Sequence, residues 1–491
     1  MPTEKIQINF MGALVSNLYF WIVICYFILV IGISFFTKKI ASKSSSDFLI
    51  AGRNLGILVC AIVVAAEWLG GLSTIGVSEK AFNTMSLQPI LYNISTAIGM
   101  IILGYALAKH YRERKVHTVS EMIESIFGKK ARTISAIAFL IAFITLAYVE
   151  LTTFSHVLAP ILKIDWVWAV LLGSIITTVY IYIGGMHALT IVAIINLVVR
   201  YVGIGIALIV GLVAIGDMSV LSEKLIAAGA PHNYYNPFSL GWTAAFSLIL
   251  GGIFGGMAAQ ASIQPIFAAK DPLTAKRAAI LSALFIAPFG IMTAYLGLMA
   301  RSGIFIDPAT IMDAKEVLPT LLMTPSFIHP ILGGLALAAI LAAILSTIGP
   351  VNFAIVTIAT KDIYHGLINK NASDEKILKT AKQLVIAVNL ITVPMAIFIH
   401  GAVLDAGYVS YAIRAIGAIV ILLGVYKLNW ISQYAVRFAF IGGVLAIILS
   451  LIARKMGWFE IDKTYASIIA TVFFILVGNL YSKYIKKINP K

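Results

Sequence analysis

Residues 65–76 read "AAEWLGGLSTIG" and place Glu67 and the pair Gly70-Gly71 inside an apolar run long enough to cross a lipid bilayer. Glycine pairs occur in membrane helices where two helices pack closely, or where a helix is interrupted. A second apolar run, "LILGGIFGGMAAQASIQP" (248–265), carries two more glycine pairs. Taken one at a time, both stretches fit either interpretation.

The composition indicates a membrane protein. Of the 491 residues 60% are hydrophobic and only 12% are charged, and the mean hydropathy is +0.97. A water-soluble domain could not bury so much apolar surface. In a soluble protein the net charge of +15 would indicate nucleic acid binding, but here the basic residues lie in short segments between apolar runs, as in cytoplasmic membrane loops. We therefore expect the lipid bilayer, and no nucleic acid, as a partner.

The apolar runs predict an all-α polytopic membrane protein with thirteen transmembrane helices, since a span needs roughly 20 residues. The predicted spans are 16–37, 55–78, 86–108, 133–159, 165–183, 188–215, 240–263, 278–300, 330–359, 383–403, 406–426, 433–453 and 464–482. Basic residues are concentrated in alternate connecting segments, such as 109–132 and the tail 483–491. This bias predicts a multi-pass protein of the inner or cell membrane with its N-terminus outside and its C-terminus in the cytoplasm.

The two glycine-rich spans are five spans apart, which predicts two five-span repeats that each open with a broken helix. An odd number of spans gives the second repeat the opposite orientation, and such inverted repeats with broken helices indicate the substrate site of a secondary transporter. The predicted parts are an extra N-terminal helix and loop (1–54), the first repeat (55–217), the second repeat (218–427), and two C-terminal helices with a short cytoplasmic tail (428–491).

Five further segments are "SSSDFLIAGRNLG" (44–56), "KVHTVSEMIESIFGKKAR" (115–132), "YIYIGGMHAL" (180–189), "IQPIFAAKDPLTAKRA" (263–278) and "LAAILSTIGPVNFAIVTIATKDIY" (341–364). In order and spacing they resemble the sodium/solute symporter family, which includes bacterial proline, sugar, sialic acid and pantothenate transporters. The resemblance runs from about residue 16 to the last span. It implies the inverted-repeat fold of the bacterial leucine transporter plus one N-terminal helix, and sodium-coupled symport of a small organic solute by alternating access.

The segment "LAAILSTIGPVN" (341–352) predicts part of a cation site. On a helix Ala343, Ser346 and Thr347 share one face, where two hydroxyls and a carbonyl offer three oxygens to a small cation. The alternative is that the hydroxyls only bond back to their own helix. The pair Gly349-Pro350 is expected to loosen the helix just below the site.

The resemblance implies that the remaining sodium ligands are carbonyl oxygens at the first helix break, on Ala66 and Leu69. Na⁺ is therefore the expected coupling ion. Family members often have an acidic residue in the sixth span, and this chain has Ala193 at that position. The alternative to sodium coupling is therefore proton coupling, with Glu67 or Glu150 carrying the proton.

Away from the ends of the predicted spans, four charged residues lie at depths where an unpaired charge costs several kcal/mol. These are Glu67, Glu150, Arg200 and Arg414. They could neutralise one another, for example Glu67 with Arg414, and Glu150 could be a polar bridge between helices. Alternatively Arg414, in a span that faces the substrate cavity in family members, binds a carboxylate, which matches its planar guanidinium.

The predicted substrate residues are Glu67, Trp68, Gly70, Gly71, Gln88, Asn93, Gln260 and Arg414. Two departures from the family argue against a sugar: Ala261 replaces an aromatic gate residue and Pro265 replaces an arginine. The solute is otherwise not identified, beyond the expectation of a carboxylate. An enzyme is not expected, because no paired Asp motif for Mg²⁺ is visible, and a membrane sensor or a channel is less favoured. We expect a monomer or a weak oligomer.

Overall fold

The computed structural model describes residues 17–41, 43–50, 54–399, 401–426 and 431–486. Within these ranges the chain is helical, and extended pairing is limited to an isolated bridge between Leu55 and Ala269. The two ends of the chain lie outside the described residues, so their predicted sides of the membrane stay predictions.

The α-helices of the first half, numbered in chain order, are α1 (Leu18–Ala41), α2 (Ser45–Ile50), α3 (Ile57–Trp68), α4 (Val77–Thr84), α5 (Leu91–Ala106), α6 (Ala108–Glu113), α7 (Val119–Phe127), α8 (Lys129–Leu162), α9 (Trp166–Ile215) and α10 (Met218–Ala227). Those of the second half are α11 (Trp242–Met257), α12 (Gln260–Phe267), α13 (Pro272–Ile286), α14 (Phe289–Arg301), α15 (Val317–Met323), α16 (Pro330–Ile358), α17 (Asp374–Phe398), α18 (Val403–Val425), α19 (Gln433–Met456) and α20 (Lys463–Leu480). Tighter 3₁₀ turns occur at Gln88–Ile90, Pro308–Thr310 and Ala314–Glu316, and wider π turns at Leu72–Gly76, Ala359–Ile368 and Tyr481–Ile485.

Eleven helical stretches in the described part of the chain are long and apolar enough to cross a membrane, and the bent stretch that contains α3 and α4 makes a twelfth. The prediction of an all-helical polytopic membrane protein is therefore confirmed. The thirteenth span stays a prediction, because α9 holds two predicted spans in 50 residues. A break does interrupt α9 at Gly185 (φ 50°, ψ −148°). A Cβ there would lie 2.6 Å from Phe48 Cδ2, so both the backbone angle and the space require glycine.

The first broken helix is interrupted at its glycine pair, as the sequence predicts. Helix α3 ends at Trp68, and helical structure resumes at Leu72 with a bend of 56°. The freed backbone groups find partners: Gly71 N donates to Glu150 Oε2 (2.9 Å), and Ser73 Oγ donates to the Trp68 carbonyl (2.7 Å). Irregular backbone is tolerated at membrane depth only with such partners.

The second break lies further along the chain than its glycine pairs suggest. Helix α11 continues through both pairs, and the regular backbone ends at Ala258 (φ −123°, ψ 24°) and Ala259 (φ −81°, ψ 95°). A Cβ on Gly252 would lie 1.9 Å from Ser95 Oγ, and one on Gly255 would lie 2.8 Å from Tyr411 Cδ1. Here the close-packing interpretation holds, because these glycines let α11 approach α5 and α18.

Helix α16 is the most enclosed span, with 83% of its most apolar window buried. It runs without interruption through Gly349-Pro350, so the expected loosening below Ser346 is not seen. Gly349 is instead required for packing, because a Cβ at this position would lie 2.0 Å from the Tyr180 hydroxyl of α9. The glycine allows α9 and α16 to pack closely, and Tyr180 Oη donates to the Leu345 carbonyl (3.4 Å).

Candidate ion and substrate site

The five residues predicted as sodium ligands come together between the first helix break and α16. Ser346 Oγ lies 3.1 Å from the Ala66 carbonyl oxygen and 2.7 Å from that of Ala343. Thr347 Oγ1 lies 3.3 Å from the same Ala66 oxygen and donates to the Glu67 carbonyl at 2.7 Å. Gly70 makes this approach possible, since a Cβ there would lie 2.2 Å from Thr347 Oγ1.

A sixth residue, Arg200 of α9, enters this group of oxygens. Its Nη1 donates to the carbonyls of Ala66 and Leu69, each at 3.0 Å, and its Nη2 donates to Ser346 Oγ. Its Nε donates to the Asn196 carbonyl one turn earlier on α9 (3.0 Å). The sequence marks Arg200 only as a charge that needs a partner, because its position on α9 gives no hint of which carbonyls it meets.

The chemistry of the oxygen set fits Na⁺, since carbonyls and hydroxyls are the hard, neutral ligands that hard cations prefer. Three of the five oxygens, those of Ala66, Leu69 and Ser346, accept hydrogen bonds from the Arg200 guanidinium. The set therefore fits Na⁺ only in a conformation from which the guanidinium has withdrawn.

A second group of buried residues, which includes the predicted Trp68, surrounds Arg414 of α18. The guanidinium carbon lies 4.0 Å from the ring centre of Tyr411 and 5.5 Å from those of Trp68 and Phe143. Arg414 is fully buried. Aromatic faces attract a cation by their quadrupoles, but they supply no hydrogen-bond acceptors in its plane.

Several polar atoms of this cluster have no hydrogen-bond partner among the described residues. They include Nε, Nη1 and Nη2 of Arg414, Oε2 of Glu67 and Nε1 of Trp68. The alternative of a Glu67–Arg414 ion pair is not seen, since the described part of the chain has no carboxylate oxygen within 4.0 Å of Arg414. The two side chains belong to different helices, and the aromatic rings occupy the space beside the guanidinium.

Glu150 takes the role of a polar bridge between helices. Its carboxylate on α8 accepts the Gly71 amide of the first break, so it holds the interrupted segment in place. The polar backbone of Gly70 is also engaged, because its carbonyl accepts Thr74 Oγ1 at 2.8 Å. The Gly71 amide and the Gly70 carbonyl of the break therefore already have partners within the protein.

The other predicted substrate residues are Gln88, Asn93 and Gln260. Gln88 is at the start of the turn before α5, and its Nε2 has no partner among the described residues. Asn93 bonds to Ser73 Oγ (3.0 Å), on the far side of the first break. Gln260 lies apart, because its amide is taken up by the His117 carbonyl (2.9 Å) and the Val119 amide (2.8 Å) before α7.

Sequence reasoning missed three tyrosines that cover Arg414. Tyr408 and Tyr411 stack on each other with ring centres 4.9 Å apart, and the hydroxyls of Tyr92 and Tyr411 are 2.7 Å apart. The spacing of Tyr408, Tyr411 and Arg414 at three-residue intervals on one helix face is the signal that could have found them. Tyr408 also lines a cavity of about 480 Å³ that is open to solvent and reaches Gln88.

At the other end of the bundle, Arg132 connects α8 to three acidic residues. Its guanidinium lies 2.8 Å from Asp362, 2.9 Å from Glu121 and 2.6 Å from Glu124. Burial alone would raise the pKa of Glu121, but the hydrogen bonds and charge of His117 and the charge of Arg132 outweigh it and lower that pKa from 4.5 to about 2. The network ties α7 and α8 to the turns that follow α16.

Comparison with known proteins identifies the family. A family model described as the sodium:solute symporter family matches residues 48–446. The chain belongs to this family. Symporter YwcA of Bacillus subtilis, described as uncharacterized, is 24% identical over 87% of this chain and 83% of its own length. Sodium/proline symporter 2 of Staphylococcus saprophyticus is 23% identical over 95% of this chain and 92% of its own length.

A solved structure of a Na⁺-coupled sialic acid symporter, substrate-bound and outward-open, matches this symporter with a TM-score of 0.80. The match has 19% identity and covers 94% of this chain and 97% of the other, so it shows a shared fold. The symporter is a multi-pass membrane transporter and not an enzyme, and Na⁺ is its coupling ion. These comparisons give no support to the proton-coupled alternative.

Proposed function

We propose that this symporter uses Na⁺ to drive uptake of a small organic solute that carries a carboxylate, and that Arg414 binds the carboxylate. The observation that carries the proposal is the fully buried Arg414 guanidinium, whose three nitrogens have no acceptor among the described residues. A buried unpaired cation is strongly unfavourable. A carboxylate accepts two parallel hydrogen bonds from a guanidinium, so it would satisfy this group in its own plane.

The neighbouring polar atoms narrow the class of solute. Glu67 Oε2 and Trp68 Nε1 also have no hydrogen-bond partner among the described residues, and the Trp68 ring is one of those that face Arg414. Glu67 accepts hydrogen bonds and Trp68 donates one. A solute with a carboxylate and a nearby amino or hydroxyl donor would pair with both Arg414 and Glu67, which favours a hydroxy acid or an amino acid over a simple fatty acid.

Burial of the site gives a physical reason for coupling. Four ionisable side chains there are buried, those of Glu67, Glu150, Arg200 and Arg414. Opposite charges attract more strongly in such a low-dielectric region than in water. A solute carboxylate and Na⁺ bound there attract each other, so each favours binding of the other.

The approach path proposed for the solute is the 480 Å³ cavity, whose lining includes Gln88, Tyr408, Lys80 and Asp405. The stacked rings of Tyr408 and Tyr411, with Tyr92 hydrogen-bonded to Tyr411, separate this cavity from Arg414. In this proposal the tyrosines form the outer gate. They are closed in the described conformation, because Tyr411 and Arg414 are buried.

Ligand-induced thermal stabilisation of the purified symporter tests the substrate class, because a ligand that binds only the folded protein raises Tm by mass action. A panel of short carboxylates, amino acids, sugars and quaternary amines would be assayed in NaCl and in KCl at equal ionic strength. We expect carboxylates to raise Tm, and to do so more strongly in NaCl. A preference for neutral sugars or for cations would refute the proposal.

Substitution of Arg414 separates substrate binding from a purely structural charge. We expect Arg414→Lys to weaken binding of the best ligand at least tenfold, about 1.4 kcal/mol, because an ammonium cannot make the planar bidentate contact. The matched control is Arg437→Lys, since Arg437 also lies over a ring, that of Tyr434 at 4.7 Å, but on α19 away from the cluster. If Arg414→Gln with Glu67→Gln restores binding, Arg414 is structural.

We also propose the finer topology: thirteen spans, two inverted five-span repeats, an outside N-terminus and a cytoplasmic C-terminus. The break at Gly185 supports counting α9 as two spans, and the interruptions at Leu69–Gly71 and Ala258–Ala259 support the repeat. A cysteine introduced by Asn233→Cys should react with an impermeant thiol reagent added outside intact cells, while a C-terminal reporter should be cytoplasmic. Reversed labelling would refute this arrangement.

A further inference from the structure

We infer that Arg200 is a tethered competitor of Na⁺: its guanidinium and the ion bind the same oxygens and exclude each other. The inference rests on the proposed sodium-coupled function and on the proposed ligand set. It concerns a residue that belongs to neither the ligand set nor the substrate cluster. In the conformation described, the guanidinium is the cation that these oxygens solvate.

Geometry excludes simultaneous binding. Arg200 Nη1 is 3.0 Å from both the Ala66 and Leu69 carbonyl oxygens, and Nη2 is bonded to Ser346 Oγ. An ion in contact with all three oxygens would have to lie where the two terminal nitrogens are. Like charges also repel most strongly in such a buried region, and Arg200 is fully buried.

The surroundings of Arg200 show that these oxygens are its main source of charge stabilisation. Among the described residues no carboxylate oxygen lies within 4.0 Å of its guanidinium, as the full set of ion pairs there shows. Its remaining contact is Nε with the Asn196 carbonyl of its own helix. A guanidinium with no acidic partner, held by neutral carbonyls and a hydroxyl, is solvated in the same way as a bound alkali cation.

Hydrogen bonds next to Arg200 hold helix α9 against α16. Asn196, one turn before Arg200, donates from Nδ2 to the Ala342 carbonyl of α16 at 2.9 Å, and accepts Tyr26 Oη at 3.1 Å. The base of the arginine is therefore fixed to α16 while its end reaches across to α3. Na⁺ entry then requires the guanidinium to leave these oxygens, and its departure would release the Ala66 and Leu69 carbonyls from α9.

The test is Na⁺ binding by the purified, solute-free symporter, measured as ²²Na⁺ binding and as the Tm shift in NaCl against KCl at equal ionic strength. We expect Arg200→Gln to bind Na⁺ at least tenfold more tightly than the wild type, because the competing charge is gone. The matched control is Arg277→Gln, which removes an exposed arginine charge on α13 and should leave the Na⁺ affinity unchanged. Unchanged or weaker Na⁺ binding by Arg200→Gln would overturn the inference.

Arg200→Lys is the second variant, because it keeps a buried cation in case the glutamine variant does not fold. The lysine side chain is shorter and ends in a single nitrogen, so it competes less well for oxygens that Arg200 contacts with two nitrogens. We expect tighter Na⁺ binding than in the wild type, and a lysine variant with wild-type or weaker affinity contradicts the inference.

Transport assays distinguish failure of this inference from failure of the proposed function. If solute uptake by the wild type is driven by a Na⁺ gradient while Arg200→Gln binds Na⁺ no better, only the competitor role is wrong. If solute uptake by the wild type does not depend on Na⁺ while Arg200→Gln gains Na⁺ binding, the competitor role is supported and the proposed sodium-driven uptake is refuted.

Discussion

Thr347→Ala and Ser346→Ala should weaken Na⁺ binding by different factors, although both remove one hydroxyl from the same face of α16. Thr347 Oγ1 contacts the Ala66 and Glu67 carbonyls and receives no bond from Arg200. Ser346 Oγ is the acceptor of Arg200 Nη2. Removing Thr347 Oγ1 therefore removes a ligand of the ion and leaves the Arg200 contact intact, while removing Ser346 Oγ affects both the ion and its competitor.

The expected magnitudes follow from these contacts. A hydrogen bond to a charged group contributes about 1.5–3 kcal/mol, and we take a similar value for one oxygen ligand of Na⁺. Thr347→Ala should therefore raise the apparent Na⁺ constant at least tenfold, since about 1.4 kcal/mol is a factor of ten. Ser346→Ala weakens the binding of Na⁺ and the binding of its competitor Arg200 by similar amounts. We therefore expect the apparent Na⁺ constant of this variant to stay within about threefold of the wild-type value.

The assay is a Na⁺ titration of the purified variants by ²²Na⁺ binding, with Tm recorded in KCl to confirm folding. Thr177→Ala is the control, because Thr177 is buried and bonds only to the Gly173 carbonyl of its own helix (2.8 Å). A Ser346→Ala effect equal to or larger than that of Thr347→Ala would refute competition by Arg200. Wild-type affinity in both variants would show that Na⁺ binds elsewhere.

Two further predictions concern stability. Gly70→Ala should destabilise the symporter by about 1–3 kcal/mol, because its Cβ would lie 2.2 Å from Thr347 Oγ1, whereas Gly56→Ala meets open space and should have little effect on Tm; equal Tm values would contradict the packing argument. The pKa of Glu121 is lowered to about 2 from 4.5, so its stabilising contribution is present above about pH 4.5 and is lost as the pH falls toward 2. Tm measured from pH 6 downward should therefore fall less steeply in Glu121→Gln than in the wild type, and parallel curves would contradict the role given to Arg132 and His117.

The features that sequence reasoning predicted well depend on short stretches of chain. Hydropathy alone indicates a helical membrane protein, since each span is a local property. The break at Gly70-Gly71 and the shared face of Ala343, Ser346 and Thr347 are likewise local patterns. That Ala66 and Leu69 lie beside this face of α16 was implied only by the family resemblance. No local pattern in either helix indicates that the two helices are neighbours.

The features that sequence reasoning missed depend on which helices face each other. The glycine pairs of α11 were consistent with a break or with close packing, and only the positions of Ser95 and Tyr411 on other helices distinguish the two. Gln260 was predicted as a substrate residue. Its amide instead binds the backbone before α7, a contact across 141 residues of chain that no local pattern indicates.

The contrast between the two buried arginines shows why residue type alone does not assign a function in a membrane. Arg200 and Arg414 are both fully buried, and the described residues offer neither of them a carboxylate within 4.0 Å. Every nitrogen of Arg200 donates to an oxygen of the protein, so this residue needs no ligand and can itself substitute for one. Every nitrogen of Arg414 lacks an acceptor, so this residue favours the arrival of an anion. The same guanidinium is thus expected to oppose one transported species and to attract the other, because hydrogen-bond satisfaction, rather than charge, differs between the two positions.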